Sequence, residues 1–324
     1  MELHLAFELR SPAGATPHRE LHPAMLDICA WGDEVGFACA NFGEHHASVS
    51  GYNPSPLVSC AAVAGRTRRI RMRPNVLLAP FYHPVRLAED TAVLSLVSRG
   101  RFEIAIGGGY RQRECDVYGT RLADRWKTVG ETVAFLRRAW SGETFEHEGR
   151  SLCIRPVPEP PPRILLGGGS VAAARRAARI ADGFATPHDA ALWEPYRAEC
   201  RALGKPDPGP MQPLGPVFLW VAEDVEAAWR ILMPHVLGQI EEYVQFTVEG
   251  YGEARGPYRG GVSPAQARAN PAYRVLTPEE AIALGQRLGP RGLLLLNPLR
   301  GGIPVHEAWR MLRLFETRVL PHLP

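Results

Sequence analysis

The sequence predicts an α/β protein built as a (β/α)8 (TIM) barrel, and three observations carry that expectation. Apolar strand-like runs alternate with longer helix-like patterns along the whole chain, the mark of parallel strands joined by helical crossovers. Those runs are nearly continuous in apolar residues, as strands covered on both faces require. Eight strand–helix repeats can be counted, which favours a closed barrel over an open doubly wound sheet.

The elements follow in order. Residues 3–9 (LHLAFEL) read as the first strand and 22–35 as a helix that Gly36 stops. Residues 37–43 (FACANFG) form the second strand, with a helix over 55–64. The third strand, 70–80, leads to a helix over 84–97 whose Pro84 suits a first turn. Residues 101–107 (RFEIAIG) are the fourth strand, followed after a loop by a helix over 125–140. Residues 142–162 then interrupt the alternation as a β-hairpin insertion with a proline-stiffened exit. Residues 163–167 (RILLG) resume it as strand five, with a helix over 171–181. A short sixth strand, 183–186 (GFAT), precedes a helix over 192–203. Residues 215–222 give strand seven, and its helix begins over 226–236. A second insertion, 237–276, shows no clear periodicity. Strand eight is 291–298 and a closing helix runs over 305–320. Residues 1–324 read as a single domain, since no linker interrupts them.

Composition narrows the function classes. A net charge of +3 is small for 324 residues and argues against a nucleic-acid footprint. The basic run RTRRIRMR, residues 66–73, precedes an apolar stretch and reads as a solvated lead-in to a strand. No secretory signal is visible at the N-terminus, and no apolar run nears the ~20 residues needed to cross a bilayer. Cys29, Cys39, Cys60, Cys115, Cys153 and Cys200 are widely spaced without a C-x-x-C, which points to a cytoplasmic protein with reduced thiols and no membrane partner.

In such a barrel the chemistry gathers at the C-terminal ends of the strands. Four places qualify: Glu44-His45-His46 after strand two, 75–83 after strand three, GGGYR (107–111) after strand four and GGGS (167–170) after strand five. All four are expected at one mouth. Neighbouring side chains on an extended segment point to opposite faces, so His45 and His46 do not easily clasp one metal ion, and no H-E-x-x-H or Cys/His cluster occurs elsewhere. No metal is expected. One of the two histidines should face the mouth and the other pack or bond sideways; a structural histidine and a catalytic one both remain open.

The stretch PRILLGGGSVAAARRAARIADG, 162–183, runs a strand into three glycines, an N-cap Ser170 and an alanine-rich helix. Bare backbone N–H groups at a helix start suit a phosphate. A loose G-x-G-x-x-A also lies at Gly167, Gly169 and Ala172, with Asp189 further on. It falls mid-chain, where a dinucleotide half-fold is not expected to begin. FEIAIGGGY supplies a second glycine cluster, Gly107–Gly109, that lets a flat ring or a phosphate approach the backbone. Two glycine-rich strand ends suggest a long ligand with a planar part and a phosphate, the shape of flavin mononucleotide (FMN).

At these residues the sequence resembles the bacterial luciferase-like, flavin-dependent oxidoreductases. GEHHAS looks like the family's E-H-H strand end, NVLLAPFYHPVRLAEDTAVLSLVSRGRFEIAIGGGY (75–110) like its longest signature, and ILLGGGSVAAARRAARIADGF like its phosphate segment. LTPEEAIALGQRL and FETRVLPHL resemble its C-terminus. The resemblance implies a (β/α)8 barrel using reduced FMN with O2, supplied by a flavin reductase, or the deazaflavin F420. It implies His45 as general acid or base beside the ring, with Glu44 orienting it. Asn75 and Val76 would lie under the ring, where members often carry a non-prolyl cis peptide. Gly107, Gly108, Tyr110, Gly167, Gly168, Gly169 and Ser170 would complete the cofactor site. It further implies a monooxygenase acting on a small organic substrate and a homodimer. Residues 237–276, carrying Tyr243, Phe246 and Tyr258, read as a lid that would exclude water from the oxygenation.

One departure stands out. Many FMN-using members read G-R-G-Y after strand four, with the arginine on the phosphate, whereas this chain has Gly108. Losing a charge-assisted bond would remove roughly 1.5–3 kcal/mol, so Arg111 or Arg113 is expected to substitute. F420-dependent hydride transfer and a non-catalytic flavin-binding protein stand as alternatives.

Overall fold

The computed structural model describes residues 1–185, 189–255 and 263–324. In chain order these form β1 (Glu2–Phe7), α1 (His18–Val35), β2 (Cys39–Phe42), α2 (Pro56–Arg66), β3 (Arg71–Leu78), α3 (Pro84–Ser98), β4 (Glu103–Gly107), α4 (Gln112–Tyr118) and α5 (Arg125–Trp140). There follow β5 (Phe145–His147), β6 (Arg150–Leu152), β7 (Arg163–Gly167), α6 (Val171–Ile180), β8 (Gly183–Ala185) and α7 (Ala190–Ala202). The last third holds β9 (Phe218–Val221), α8 (Val225–Tyr251), α9 (Pro264–Ala269), β10 (Tyr273–Leu276), α10 (Pro278–Leu288), β11 (Leu293–Leu296) and α11 (Val305–Leu314). Thr186, at the tail of the expected sixth strand, and Tyr258 lie outside the described residues.

The chain packs as two compact units, one of Met1–Asn41, His45–Pro54 and Gln212–Pro324, the other of Phe42–Glu44 and Ser55–Met211. In the first, β10, β9, β11 and β1 lie side by side in parallel, with Leu5 opposite Leu296 and Phe218 opposite Tyr273. Helix α1 turns Leu21, Met25 and Ile28 inward at helical spacing. It ends where Gly36 takes φ 94°, a left-handed cap that a side chain would strain. Leu5, Ile28, Leu294, Leu312 and Phe315 are fully buried there.

In the second unit the parallel order is β3, β4, β7, β8. Every residue of β4 is buried, in keeping with a parallel sheet covered on both faces. Val133 and Leu136 of α5, and Ala174 and Ala177 of α6, complete that core. The expected insertion over 142–162 contains the antiparallel hairpin β5–β6.

The second insertion differs from the sequence reading. Helix α8 runs for 27 residues, far beyond 236, and β10 adds a parallel strand beside β9. A capping box then starts α10, with Thr277 and Glu280 each bonding the other's backbone N–H. The loop after β4 also holds the short helix α4.

Candidate active site

In the second unit the glycines at two strand ends close on one side chain. A Cβ on Gly107 would stand 2.6 Å from Val76 Cγ2, and one on Gly167 would stand 2.5 Å from Val76 Cγ1. Both glycines are therefore required by Val76, and β3, β4 and β7 present Val76, Gly107 and Gly167 together. The Asn75–Val76 peptide is cis, and the β3–β4 register shifts between Asn75 and Leu77.

Gly168 has φ 153°, and a Cβ there would lie 2.4 Å from Ala173 Cβ, so the backbone sits flush on the first turn of α6. Ser170 caps that helix, its side chain accepting from Ala173 N–H at 3.2 Å. Beyond its chain neighbours, no atom of the described residues lies within 4 Å of a Cβ built on Gly169. The N-terminus of a ten-residue helix thus presents bare backbone on open ground, as an anion site needs. Asp189 caps α7 through Ala191 N–H, a local structural job.

The space at position 108 is filled by another arginine. A Cβ on Gly108 would meet Arg125 Cβ and Cγ at 3.2 Å and the Trp126 ring at 3.3 Å. Arg125 Nη1 donates to Leu122 O at 2.6 Å, while its Nε is buried and meets no hydrogen-bond partner among the described residues. Arg176 of α6 stacks over Trp126 at 4.5 Å, and burial, then the neighbouring Arg125 and Arg179, lower its pKa. Of the arginines expected to substitute, Arg111 is buried in an ion pair with Glu114 at 3.3 Å, and Arg113 is exposed. Tyr110 follows the β4 turn and is half-buried.

Glu44, 4% exposed, accepts the Leu78 N–H at 3.0 Å. Burial and the Glu44 carboxylate push the Tyr82 phenol up. Glu44 is thereby a brace for the end of β3, a role its expected service to His45 did not include.

In the first unit His45 and His46 are both buried. His45 is ringed by aromatics: Tyr52 edge-on at 4.8 Å, Phe246 at 4.9 Å and Tyr243 at 6.0 Å between centroids. Tyr52 and Tyr243 share a hydroxyl–hydroxyl bond of 2.8 Å. Beside them lies a buried charge network on the end of β1. Glu8 accepts from Arg10 Nε at 3.3 Å, Gln239 Nε2 at 3.3 Å and Gly301 N–H at 2.9 Å. Burial alone would raise the Glu8 pKa, but Arg10, Arg300 and the Gly301 N–H hold it below its ordinary value. Burial opposes the Arg10 charge, and Glu8 with Glu242 nonetheless raises its pKa.

Arg125, Glu8, Arg10 and Glu242 were not singled out from the sequence. No signal tied Arg125 to the glycine turn, since α4 and the residues up to 124 separate the two in the chain. None existed for the Glu8 network, whose members are far apart in the chain.

Residues 1–282 match the luciferase-like monooxygenase family, and the chain belongs to it. The (β/α)8 barrel of that family is its fold. The oxygenase component of the flavin-dependent trigonelline monooxygenase of Acinetobacter baylyi is 27% identical over 46% of this chain and 42% of its own. The F420-dependent glucose-6-phosphate dehydrogenase of Amycolatopsis mediterranei is 27% identical over 49% and 52%. The match thus spans about half the length, or less, of these curated relatives. The oxygenating constituent of 3,6-diketocamphane monooxygenase from Pseudomonas putida, solved with FMN, superposes with a TM-score of 0.76, covering 100% of this chain and 99% of that one at 21% identity. Among the described residues no helix is long and apolar enough to cross a membrane.

Proposed function

We propose that this protein is the oxygenase of a two-component flavin system, taking reduced FMN from a separate reductase in the cytoplasm and oxygenating a small organic substrate with O2. The observation that carries the reading is the buried Nε of Arg125, without a partner among the described residues, beside the Gly107–Gly108–Gly109 turn. A buried guanidinium N–H without an acceptor is costly, and an ionised phosphate is the acceptor such a group takes best. The flush backbone at Gly168 and the capped start of α6 supply further donors, so the residues present fit FMN. Its phosphate would take Arg125, Gly168, Gly169 and Ser170. Its ring would take the glycine floor of Gly107 and Gly167 with Asn75, Val76 and Tyr110.

When bound, reduced FMN supplies two electrons to O2, one oxygen atom passing to the substrate and the other leaving as water. The chain supplies proton handling and shelter. His45 holds or delivers a proton at an imidazole nitrogen, a task suited to a histidine. Tyr52, Tyr243 and Phe246 keep water from it, and the half of α8 beyond 236, in the insertion read as a lid, carries two of those three rings. Glu44 steadies the Leu78 end of β3. The trigonelline and diketocamphane relatives support the reading by name, since one is flavin-dependent and the other was solved with FMN.

A homodimer is part of the proposal. Helices α2 and α3 pack together and expose Val58, Val93, Leu96 and Val97, an apolar face suited to a second copy. F420-dependent hydride transfer is the second reading, favoured by Gly108 in place of the arginine and by the Amycolatopsis relative.

Oxygen-18 labelling separates the two. With reduced FMN regenerated by a reductase, a panel of small cyclic ketones and alkenes should yield product carrying one ¹⁸O from ¹⁸O2, and His45→Ala should abolish it while binding flavin normally. A fully active His45→Ala would remove His45 from the chemistry. Substrate oxidation driven by F420 without label would replace the proposal with the dehydrogenase.

A further inference from the structure

We propose that Glu242 is a positioning residue for His45: by gripping the loop His45–Pro54 it fixes the aromatic wall that α8 lays around the imidazole. The inference rests on the reading of His45 as the proton-transfer group. Glu242 lies in the half of α8 beyond residue 236, one residue before Tyr243 and four before Phe246. Its carboxylate, 11% exposed, accepts Ser48 Oγ at 2.6 Å and Ser50 Oγ at 2.9 and 3.0 Å, and pairs with Arg10. A carboxylate offers about four lone-pair sites, so one side chain can hold three donors at once.

The next residue repeats the grip. Tyr243 bonds Tyr52, so consecutive residues of α8 fasten positions 48, 50 and 52 of one short loop. The loop is further tied by Ser11 N–H to Ser50 O at 2.8 Å, Asn53 N–H to Glu8 O at 2.9 Å, and His45 N–H to Asn53 O at 3.3 Å. His45 therefore sits at the start of a segment whose far half is bound to α8. Neutralising Arg10 does not account for Glu242, because Glu8 already pairs with Arg10. What Glu242 alone supplies is an acceptor on α8 for the two serines. Without it, Tyr243 and Phe246 keep their places on the helix but lose their set distance from the ring they enclose.

The test reads His45 directly in the full-length protein. With ¹³Cε1-labelled histidine, the His45 signal is assigned by its loss in His45→Gln. Both Glu242→Gln and the milder Ser48→Ala/Ser50→Ala should move the His45 signal, since the ring currents of Tyr52, Tyr243 and Phe246 contribute to its shift. The His235 signal should stay, because His235 is on the same helix but bonds Gly301 O. Oxygen consumption with reduced FMN as the probe should fall about 10- to 100-fold in Glu242→Gln, the scale of a small misplacement, with KM for reduced FMN unchanged. An unmoved His45 signal in both variants overturns the inference, and so does a His235 signal that moves equally, since the helix itself would then have been lost. The failure of the wider reading looks different: a fully active His45→Ala, whatever the His45 signal does in the Glu242 variant.

Discussion

Arg125→Ala should separate the phosphate of FMN from the rest of the molecule. Arg125 brings a buried Nε with no partner among the described residues to the turn at Gly108, anchored by Nη1 on Leu122 O at 2.6 Å. Hydrogen bonds to charged groups contribute about 1.5–3 kcal/mol, and each 1.4 kcal/mol is tenfold in affinity. FMN should therefore bind about 10- to 100-fold more weakly to Arg125→Ala. Riboflavin, which has the same ring and ribityl chain but no phosphate, should bind the variant and the parent alike. Arg125→Lys should recover only part of the loss, because an ammonium offers a point charge in place of the planar fork. Fluorescence titration of each flavin against each protein gives the four constants, and thermal melting excludes a folding defect. Equal weakening of FMN and riboflavin, or an unchanged FMN constant, would refute the assignment of Arg125 to the phosphate.

Further expectations follow from the same contacts. Gly107→Ala and Gly167→Ala each drive a methyl group into Val76, at 2.6 and 2.5 Å, and should cost about 1–3 kcal/mol as overpacking. Adding Val76→Ala should relieve both, so chemical denaturation of the double variants should show less than additive loss. Glu44→Ala leaves the buried Leu78 N–H without its acceptor and should cost about 1–3 kcal/mol, whereas Glu44→Gln, which keeps an oxygen, should cost less. The Glu8 pKa is lower in the folded chain than its ordinary 4.5. Its contribution is thus complete above 4.5 and is lost as pH falls through the folded value, the unfolded chain taking up its proton first. Melting temperatures between pH 5 and 3 should fall less steeply for Glu8→Gln than for the parent, and parallel curves would contradict the pairing.

The sequence made the regular parts legible for physical reasons. Helix Arg125–Trp140 and strand Arg163–Gly167 have the bounds read from the pattern, because apolar spacing and flanking turn residues agree there. The far half of α8 was hidden by its own chemistry. Val236, Ile240, Tyr243 and Phe246 do keep a helical spacing, but Gly238 breaks the run, and Gln239 and Glu242 put polar groups on the inward face. Strand β10 is four residues long with an arginine inside it, too short for periodicity to show. The cofactor candidates on glycines were legible since bare backbone at a strand end has few other uses. Arg125 was not, because its approach to Gly108 is made in space, across the loop that holds Arg111 and Arg113. The buried Arg111–Glu114 pair likewise becomes visible only when α4 folds.

The central claim, that this chain works with reduced FMN, is tested most directly by an anaerobic titration of the purified protein with reduced FMN and, in parallel, with reduced F420. Saturable binding of reduced FMN with no response to F420, followed on mixing with oxygen by flavin reoxidation at a rate different from that of free flavin, is the predicted result. Saturable F420 binding with no binding of FMN would contradict it and make Gly108 the mark of a deazaflavin enzyme.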